Sequence, residues 1–448
     1  MKLIVTPGKP LIGTATVPGD KSLSHRAVLF AALAEGESHI RNFLVSGVTR
    51  VMLNALTALG VDWRLDSETL TVQGRGLGGL RPPSQPLDCG NSATTIRFLA
   101  GALAAAGIPA VLDGSAGLRR RPMERIVDPL RQMGVAIEAS AAGTAPLVLG
   151  GRGPGEPLRG LNTDLPVASA QVKTCLLLAA LAADAPTLLR EPGPSRDHTE
   201  RMLRSMGAAV ENRVIDDLNG PVYETRVEPL SAPLRPIDMT LPGDMSAAAF
   251  LLVAGTITPG SEIHVPGVEI NPTRTGLLDT LRAMGADIQV EDRGSQAGEP
   301  VGDLTVRAVA LRGGAVRGPL VVRMIDEFSV YGAAAAFAVG RTTVREAAEL
   351  RYKESDRIHT LVVELRALGI QAEELEDGFR IQGGQPGEGP VQAHGDHRLA
   401  MALAVAGLAG RGPVIIDGAE IIQESFPAFT ETLRGLGADL AVLDEQPV

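Results

Sequence analysis

Six copies of one short pattern constrain the fold of this chain more than any other feature. The pattern is Leu, two residues, Leu or Met, and then Gly, which is typical of an amphipathic helix that ends at a glycine in the left-handed conformation. The copies end at Gly60, Gly134, Gly207, Gly285, Gly369 and Gly437. Recurrence at an interval of about 75 residues indicates that one supersecondary unit is repeated six times.

The first repeat predicts the content of one unit. Helices are expected at 22–33 and 48–59, with a strand at 38–44 between them. Two short strands follow, at 62–65 and 69–73. With one more strand ahead of the first helix, the order of elements is βαβαββ. The chain is therefore predicted to be an α/β protein built from six βαβαββ repeats.

The first helix of every repeat is apolar nearly all round, which predicts that it is buried. These apolar stretches are too short and too rich in alanine to span a bilayer, and they lie at 27–34, 98–106, 176–183, 247–254, 333–339 and 400–409. The second helix is amphipathic, and in three repeats a proline is expected in its first turn, where the missing N–H costs nothing. Those prolines are Pro122, Pro272 and Pro427. Buried helices under strand-rich surfaces indicate two domains of three units each.

Composition and charge narrow the class of protein further. The net charge of −10 argues against nucleic acid as a partner. The chain shows neither a signal-peptide pattern nor a long apolar run, so we expect a cytoplasmic protein that does not enter a membrane. The seven histidines show no metal-ligand spacing. The two cysteines, Cys89 and Cys175, adjoin predicted buried helices, and we interpret them as buried thiols.

Two segments rich in proline and glycine predict where the domains divide. The first domain is predicted at 20–238, and the second at 1–19 together with 239–448. Strands within residues 2–16 are expected to complete the last unit of the second domain. The chain would then cross between domains near 18–20 and again near 235–243. Two such crossovers would form a hinge, and clefts between domains are common ligand sites.

The starts of the six buried helices are polar, although the helices themselves are apolar. These starts lie at 19–26, 88–97, 168–173, 243–246, 325–329 and 395–398. A helix N-terminus presents free N–H groups and the positive end of its dipole, which suits phosphates and carboxylates. Ordinary N-capping explains the Ser, Asp and Asn residues equally well. Capping does not explain Lys21, Arg26 and Arg398, because a cation that enters a buried helix needs a partner or an anionic ligand.

Further cations precede the second helices of the repeats. They occur at 119–121, 195–199, 271–274 and 351–357. On a helix, Lys353 and Arg357 would share one face, and so would Glu354 and Arg357. A solvated, salt-bridged helix start would produce the same pattern. Arginine, however, binds phosphate and carboxylate groups through paired hydrogen bonds, which favours an anion site.

Seven segments of the chain, taken together, closely resemble the 5-enolpyruvylshikimate-3-phosphate synthase family. They are 21–26 (KSLSHR), 88–97 (DCGNSATTIR), 121–123 (RPM), 168–171 (ASAQ), 325–328 (IDEF), 350–357 (LRYKESDR) and 396–398 (DHR). They occur in the family's order and extend over essentially the whole chain. The resemblance implies a two-domain inverse α/β barrel. It also implies transfer of the enolpyruvyl group of phosphoenolpyruvate to the 5-hydroxyl of shikimate 3-phosphate, with release of phosphate.

That reaction lies on the shikimate route to chorismate and the aromatic amino acids. The resemblance implies that it needs no metal and no organic cofactor, and that the chain acts as a monomer on these two small-molecule substrates. UDP-N-acetylglucosamine enolpyruvyl transferase is the alternative. Its relatives open with Lys-Asn where this chain has Lys21–Ser22, and they carry a loop cysteine as general acid. A non-enzymatic repeat protein is a further alternative, but it should lack cations clustered about Asp326 and Glu354.

The resemblance also implies the site residues. Asp326 would be the base at the 5-hydroxyl, Glu354 the acid that protonates the phosphoenolpyruvate methylene, and Lys21 a catalytic residue that touches both substrates. The residues implied to bind shikimate 3-phosphate are Lys21, Ser22, Arg26, Ser169, Ala170 (through its backbone), Gln171, Arg196, Asp326 and Lys353. Those implied to bind phosphoenolpyruvate are Lys21, Ala93, Arg121, Gln171, Arg357 and Arg398. Seven cations would then surround two acids.

The chain departs from the best-known form of this family in two places. Many members carry a lysine that contacts phosphoenolpyruvate where this chain has Glu424, so that position is left out of the site. Many members have Ala-Gly-Thr where this chain has Ser92-Ala93-Thr94. Both departures, together with Arg196, indicate the class II branch. Glyphosate occupies the phosphoenolpyruvate site in this family, so the extra methyl group of Ala93 predicts a glyphosate-insensitive enzyme.

Overall fold

The computed structural model describes residues 1–153, 155–217 and 220–443, and the elements below are those of these ranges. The α-helices, in chain order, are α1 (Lys21–Leu33), α2 (Gly47–Ala58), α3 (Ala93–Ala106), α4 (Glu124–Gln132), α5 (Ala170–Ala180), α6 (His198–Ser205), α7 (Met245–Ile257), α8 (Gly276–Ala283), α9 (Pro319–Arg323), α10 (Phe328–Phe337), α11 (Arg357–Ala367), α12 (His397–Leu408) and α13 (Phe429–Gly435). The strands are β1 (Lys2–Thr6), β2 (Ile12–Thr14), β3 (Glu35–Arg41), β4 (Asp62–Asp66), β5 (Thr69–Arg75), β6 (Leu87–Asp88), β7 (Ala110–Asp113), β8 (Ile137–Glu138), β9 (Leu147–Leu149), β10 (Asn162–Asp164), β11 (Thr187–Glu191), β12 (Val210–Asp217), β13 (Gly220–Val227), β14 (Asp238–Thr240), β15 (Glu262–Glu269), β16 (Asp287–Gln296), β17 (Glu299–Arg307), β18 (Ala315–Val316), β19 (Arg341–Val344), β20 (Gln371–Leu375), β21 (Gly378–Gln382), β22 (Gly389–Gln392), β23 (Val414–Asp417) and β24 (Asp439–Leu443).

These strands form six four-stranded sheets, which confirms the predicted six-fold repeat of a βαβαββ unit. In chain order of the units, the sheets are β14-β3-β5-β4, β6-β7-β9-β8, β10-β11-β13-β12, β2-β15-β17-β16, β18-β19-β21-β20 and β22-β23-β1-β24. In each sheet one edge strand pairs in parallel with its neighbour, across a buried helix that connects or flanks the two. The α/β class is therefore as predicted.

Three strands complete sheets that are distant from them in sequence. Strand β14 pairs with β3 in the first sheet, and β1 lies between β23 and β24 in the sixth. The prediction that residues 2–16 complete the last unit is right for β1. It is wrong for β2, which pairs with β15 in the fourth sheet. Pro7 and Pro10 lie between β1 and β2 and cannot donate to a strand ladder, so the two strands are free to join different sheets.

The chain divides into two compact units, which we name for their main segments. The N-terminal unit is Gly19–Leu241 with Gln296–Glu299. The C-terminal unit is Met1–Pro18, Pro242–Ser295 and Pro300–Val448. Each has one hydrophobic core, and three of the buried helices lie in each core. The hinge expected near 18–20 and 235–243 stays a prediction.

The buried helices pack closely because small residues line their contacts. In the N-terminal unit a Cβ built on Gly101 of α3 would lie 2.2 Å from the carbonyl oxygen of Cys175 on α5, so only glycine fits there. Cys175 and Cys89 are both buried free thiols, as predicted. Burial raises the pKa of the Cys175 thiol to about 12. Among the helices of the described ranges, none has both the length and the apolar composition that crossing a bilayer requires.

The helix ends confirm one prediction and correct another. All six glycines of the repeated pattern adopt positive φ, between 78° and 106°, directly after their helices. The three prolines, in contrast, precede their helices instead of lying in the first turn. Helices α4, α8 and α13 begin at Glu124, Gly276 and Phe429, two or more residues after each proline. The fixed φ of proline suits a preceding turn as well as a first helical turn, so the sequence pattern does not separate the two.

Candidate active site

N-capping accounts for part of the polar character at the starts of the buried helices. Five of the six helices have a cap side chain that accepts a backbone N–H bond, and these caps are Asp20, Ser92, Ser169, Asp244 and Asp396. At the sixth helix, α10, the cap position is Glu327 and its side chain makes no such bond. The alternative interpretation as N-caps is thus correct for five starts. It leaves the buried cations of these helices to be explained.

Arg26 is the most deeply buried cation of the N-terminal unit. Its Nε donates to Thr199 Oγ1 at 2.7 Å, its Nη2 to Thr174 Oγ1 at 3.0 Å, and its Nη1 to the carbonyl oxygen of Ser22 at 2.9 Å. The guanidinium also lies 4.8 Å from the centre of the Phe98 ring, within cation–π range. Burial lowers the pKa of Arg26 to about 10. All three hydrogen bonds go to uncharged oxygens, so the positive charge of Arg26 is buried among neutral partners.

The start of α1 brings four predicted site residues together. Arg196 Nη1 donates to Ser22 Oγ at 3.3 Å, and Arg26 bonds to the backbone of the same serine. Lys21 directly precedes Ser22, and its carbonyl oxygen lies 2.8 Å from Nδ1 of His25 on the same helix. Burial, together with the charges of Lys21 and Arg26, lowers the pKa of His25 to about 4. The imidazole is therefore neutral at pH 7, and Nδ1–H donates to Lys21.

Gln171 and the start of α5 are tied to α3. Gln171 Nε2 donates to Thr94 Oγ1 at 3.0 Å, and its Oε1 accepts a hydrogen bond from Arg97 Nη1. Arg97 also donates to the carbonyl oxygen of Pro122 at 2.9 Å, directly after Arg121. Sequence reasoning did not include Arg97 in the site. The sequence feature that could have identified Arg97 is a cation in an otherwise apolar helix, which is the feature that identified Arg26.

Three further predicted residues flank this region. Ser169 and Ala170 form the cap and first residue of α5, and both are half-buried. Ala93 is the first residue of α3 and is buried. Arg121 ends a short 3₁₀ turn and is half-buried. All predicted site residues of this unit thus lie at helix starts or in the turns that precede helices.

The C-terminal unit gathers its predicted residues around Asp326. This carboxylate lies just ahead of α10, with Oδ1 at 3.2 Å from Lys353 Nζ and 3.4 Å from Arg357 Nη1. Its Oδ2 lies 3.9 Å from Arg398 Nη2. Asp326 remains partly exposed, whereas Arg357 and Arg398 are buried. Three cations therefore converge on one partly exposed carboxylate.

Arg357 joins Asp326 to two further carboxylates. Its Nη2 lies 2.8 Å from Glu354 Oε2, and its Nε lies 2.7 Å from Asp396 Oδ2. Burial alone would lower the pKa of Arg357, but Asp396, Glu354 and Asp326 outweigh it and raise the pKa above its ordinary value. For Asp396, burial would raise the pKa, but the charge of Arg357 lowers it below the usual range. Both groups are therefore ionised at neutral pH.

The expectation that Lys353, Glu354 and Arg357 share a helix face is wrong. Helix α11 begins only at Arg357, because Asp356 is its N-cap and accepts from His359 N at 3.1 Å. Lys353 and Glu354 lie in the loop before the helix. They still converge on Arg357 and Asp326, because the loop folds back over the start of α11.

Two carboxylates outside the predicted site also lie beside the cations of this unit. Sequence reasoning placed seven cations around two acids, and it interpreted Asp396 only as a helix cap. Asp396 is the cap of α12, yet it also bonds to Arg357, and Glu327 Oε1 lies 3.9 Å from Arg398 Nη1. The resulting group of three cations and four carboxylates, named here the acidic cluster, comprises Lys353, Arg357, Arg398, Asp326, Glu327, Glu354 and Asp396. Its members come from three separate segments, so a linear pattern could not reveal that they meet.

Comparisons with known proteins identify the family of this chain. A sequence model of the family described as EPSP synthase (3-phosphoshikimate 1-carboxyvinyltransferase) matches residues 5–433. The 3-phosphoshikimate 1-carboxyvinyltransferase of Herpetosiphon aurantiacus is 49% identical over 433 residues, covering 96% of this chain and 98% of the relative. That of Halorhodospira halophila is 48% identical over 444 residues, covering 98% of this chain and 96% of the relative.

Solved structures show the same fold. The EPSP synthase of Acinetobacter baumannii matches with a TM-score of 0.85 and 40% identity, over 99% of this chain and 100% of that chain. The enolpyruvyl transferase NikO of Streptomyces tendae matches with a TM-score of 0.77 over 98% of both chains, but at 22% identity this likeness concerns the fold alone. The fold is the two-domain inverse α/β barrel. By its sequence over nearly its whole length and by its fold, this chain belongs to the EPSP synthase (3-phosphoshikimate 1-carboxyvinyltransferase) family.

Proposed function

We propose that this chain transfers the enolpyruvyl group of phosphoenolpyruvate to the 5-hydroxyl of shikimate 3-phosphate, releasing phosphate. In the addition step, the hydroxyl oxygen bonds to C2 of phosphoenolpyruvate while C3 receives a proton. In the elimination step, C3 gives up a proton, the bond between C2 and the phosphate oxygen breaks, and the double bond is restored. The proton of the hydroxyl group finally resides on the released phosphate. The chemistry is proton transfer next to anions, and we expect it to need neither a metal nor an organic cofactor.

The acidic cluster is the observation that supports these proton transfers. Asp326 is the proposed base at the 5-hydroxyl, and Glu354 the proposed acid toward C3. Both are held by the guanidinium of Arg357, so a base and an acid are fixed on either side of one rigid group. Such a cluster can supply one group to accept a proton and another to donate one.

Anion binding is the proposed role of the N-terminal unit. Lys21, Ser22, Arg26 and Arg196 meet at the start of α1, and we assign them to shikimate 3-phosphate. The other groups assigned to that substrate are Ser169, Ala170, Gln171, Asp326 and Lys353. Phosphoenolpyruvate is assigned to Lys21, Ala93, Arg121, Gln171, Arg357 and Arg398. The hydrogen bonds of Arg26 to neutral oxygens support this role, because none of its described bonds goes to a carboxylate and we expect its charge to attract an anionic ligand.

One assay tests the function. Phosphate release from phosphoenolpyruvate should require shikimate 3-phosphate and should persist after treatment with a chelator. UDP-N-acetylglucosamine, the acceptor of the alternative transferase, should give no release. Turnover with UDP-N-acetylglucosamine in place of shikimate 3-phosphate would contradict the proposal. We further expect an enzyme that acts in the cytoplasm. We also expect it to be a monomer, and sedimentation of the active enzyme at assay concentration checks this.

A further inference from the structure

A buried carboxylate behind the proposed shikimate 3-phosphate site contacts two of its segments at once. Glu191 is the last residue of β11, and only 2% of its surface is exposed. Its Oε1 accepts the backbone N–H of Ser169 at 2.9 Å. Its Oε2 accepts the hydroxyl of Ser195 at 2.7 Å. Ser169 caps α5 ahead of Ala170 and Gln171, and Ser195 directly precedes Arg196. One side chain therefore holds two segments that carry predicted binding residues.

A buried lysine holds this carboxylate in place. Lys173 lies on the second turn of α5, with Nζ at 2.8 Å from Glu191 Oε2 and 2.9 Å from Glu200 Oε1 on α6. The same ammonium group lies 3.5 Å from the carbonyl oxygen of Ser195. Burial alone would lower the pKa of Lys173, but the carboxylates of Glu191 and Glu200 outweigh it and raise the pKa. The ammonium group therefore stays charged and links β11, α5 and α6.

Burial of these three charged groups costs free energy, so we expect the arrangement to do more than fill the core. A buried ion pair often stabilises a fold no better than apolar residues of similar size, because both charges must be desolvated. Here two carboxylates accompany one ammonium group, and all three side chains are at most 4% exposed. What the group achieves is a fixed geometry, because a carboxylate with both oxygens bonded cannot turn without breaking bonds to charged or buried partners.

We propose that Glu191 is a positioning residue of the shikimate 3-phosphate site, acting through the backbone at Ser169 and the turn at Ser195–Arg196. Lys173 keeps the Glu191 carboxylate aligned and does not itself contact the substrate. The proposal rests on the proposed function, since it concerns the same substrate. It predicts that loosening Glu191 weakens binding of shikimate 3-phosphate before it impairs the chemical step.

Steady-state kinetics of Glu191→Gln test this. The amide keeps the size of the side chain but replaces one acceptor oxygen by a donor, so the bonds to the two donor-only groups, Ser169 N–H and Lys173 Nζ, cannot both persist. Loss of a hydrogen bond to a charged group corresponds to about ten- to hundredfold in affinity. We expect KM for shikimate 3-phosphate to rise by that factor, while kcat and KM for phosphoenolpyruvate change much less. Titration calorimetry with shikimate 3-phosphate alone should show the same loss of affinity.

Glu224→Gln is the matched control. Glu224 Oε2 pairs with Arg190 Nε at 3.2 Å, and Arg190 precedes Glu191 on β11 and so points to the opposite face. This variant should keep the wild-type KM values. A substitution that merely unfolds part of the sample lowers the number of binding sites and kcat, but it leaves KM and the dissociation constant unchanged.

Ser195→Ala decides the matter if Glu191→Gln does not fold. It removes only the hydroxyl bond to Glu191, and we expect a smaller rise in KM for shikimate 3-phosphate of about tenfold or less. A folded Glu191→Gln with wild-type affinity would overturn the inference, as would an unchanged Ser195→Ala where Glu191→Gln is insoluble. If the wild-type chain neither binds nor converts shikimate 3-phosphate, the proposed function itself fails. Wild-type activity combined with unaltered variants would refute the positioning role alone.

Discussion

Arg26 and Arg357 are both buried arginines at the start of a helix, one in each unit, yet their surroundings are opposite. Arg26 donates to two threonine hydroxyls and one carbonyl oxygen, and burial lowers its pKa to about 10. Arg357 contacts three carboxylates, which raise its pKa in spite of burial. The same side chain thus hydrogen-bonds only to neutral oxygens in one unit, and in the other it is the counter-ion of three carboxylates.

This difference leads us to expect different roles for the two arginines. In the N-terminal unit the described hydrogen bonds of Arg26 go to neutral oxygens, and we expect its charge to attract an incoming phosphate. In the C-terminal unit the positive charge of Arg357 is already offset by carboxylates, and its effect is to hold the proposed acid and base in fixed positions. Substitutions in the two units should therefore differ in which measured quantity they change.

The largest effect is expected for the proposed proton donor. Glu354→Gln keeps the size of the side chain but cannot protonate C3, so kcat should fall by about 10²–10⁴-fold, as for loss of a general acid. Arg121→Ala in the N-terminal unit should instead act mainly on KM for phosphoenolpyruvate. Steady-state kinetics with both substrates varied distinguish the two. If Glu354→Gln keeps a near wild-type kcat, the assignment of chemistry to the C-terminal unit is wrong.

The next largest effect concerns stability. Arg357→Met leaves Asp326, Glu354 and Asp396 close together without their shared cation, and removal of one partner of a buried ion pair costs about 3–5 kcal/mol. Arg26→Met should cost less, because the hydroxyls of Thr174 and Thr199 lie 2.6 Å apart and can still bond to each other. Urea unfolding of both variants measures the difference. Equal losses of unfolding free energy would remove the contrast between the two arginines.

Ala93 tests how closely the N-terminal unit fits its ligand. Glyphosate is longer than phosphoenolpyruvate, and the Ala93 methyl group is expected to project into the additional length. Overpacking by one methyl group costs about 1–3 kcal/mol, so Ala93→Gly should lower the glyphosate inhibition constant by roughly tenfold or more. KM for phosphoenolpyruvate should change little. An unchanged inhibition constant would show that Ala93 serves only the start of α3.

The smallest effect is a pH dependence of stability that arises beside Arg26. His25 has a pKa of about 4 in the folded chain, against an ordinary value of 6.5. The unfolded chain therefore binds a proton more readily, and stability is lost as the pH falls from 6.5 toward 4. This group alone should remove about 2 kcal/mol between pH 7 and pH 5. Urea unfolding of His25→Gln at pH 7 and pH 5 should show a loss of unfolding free energy that is smaller than the wild-type loss by about that amount.

His39→Gln provides the control for this measurement. His39 lies on β3 of the same unit, and its side chain is exposed beside Glu37. Its replacement removes an exposed imidazole, and it shows how the same substitution acts where the side chain is not buried. A wild-type slope in His25→Gln would mean that burial lowers the pKa of the His25 imidazole less than expected.

Much of this architecture is predictable from sequence because it depends on local pattern. The glycines that end the second helices gave the number of repeats, since a left-handed helix end requires glycine wherever it occurs. The cations at the helix starts pointed to anion chemistry, since a buried charge needs a partner. Both signals lie within a few residues of the feature they predict.

The remainder depends on contacts between distant residues. Asp396 is separated from Arg357 by 39 residues, and its second role as a counter-ion arises only where α11 and α12 meet. Glu191 gives no sequence signal beyond a carboxylate at the end of a strand. The sequence likewise did not indicate that β1 and β2 join different sheets, because both are predicted only as short strands of one N-terminal segment.

The position of β1 also has a consequence for synthesis of the chain. This strand lies in the interior of its sheet, with Lys2 opposite Asp417 on one side and Leu443 on the other. A ribosome makes β1 before any other strand described here, but both neighbours emerge more than four hundred residues later. During that interval its backbone groups have no native partner, and unpaired strands are prone to aggregate. We therefore expect the nascent chain to depend on chaperones until the final unit has left the ribosome, and release of chains truncated before β23 should give insoluble protein.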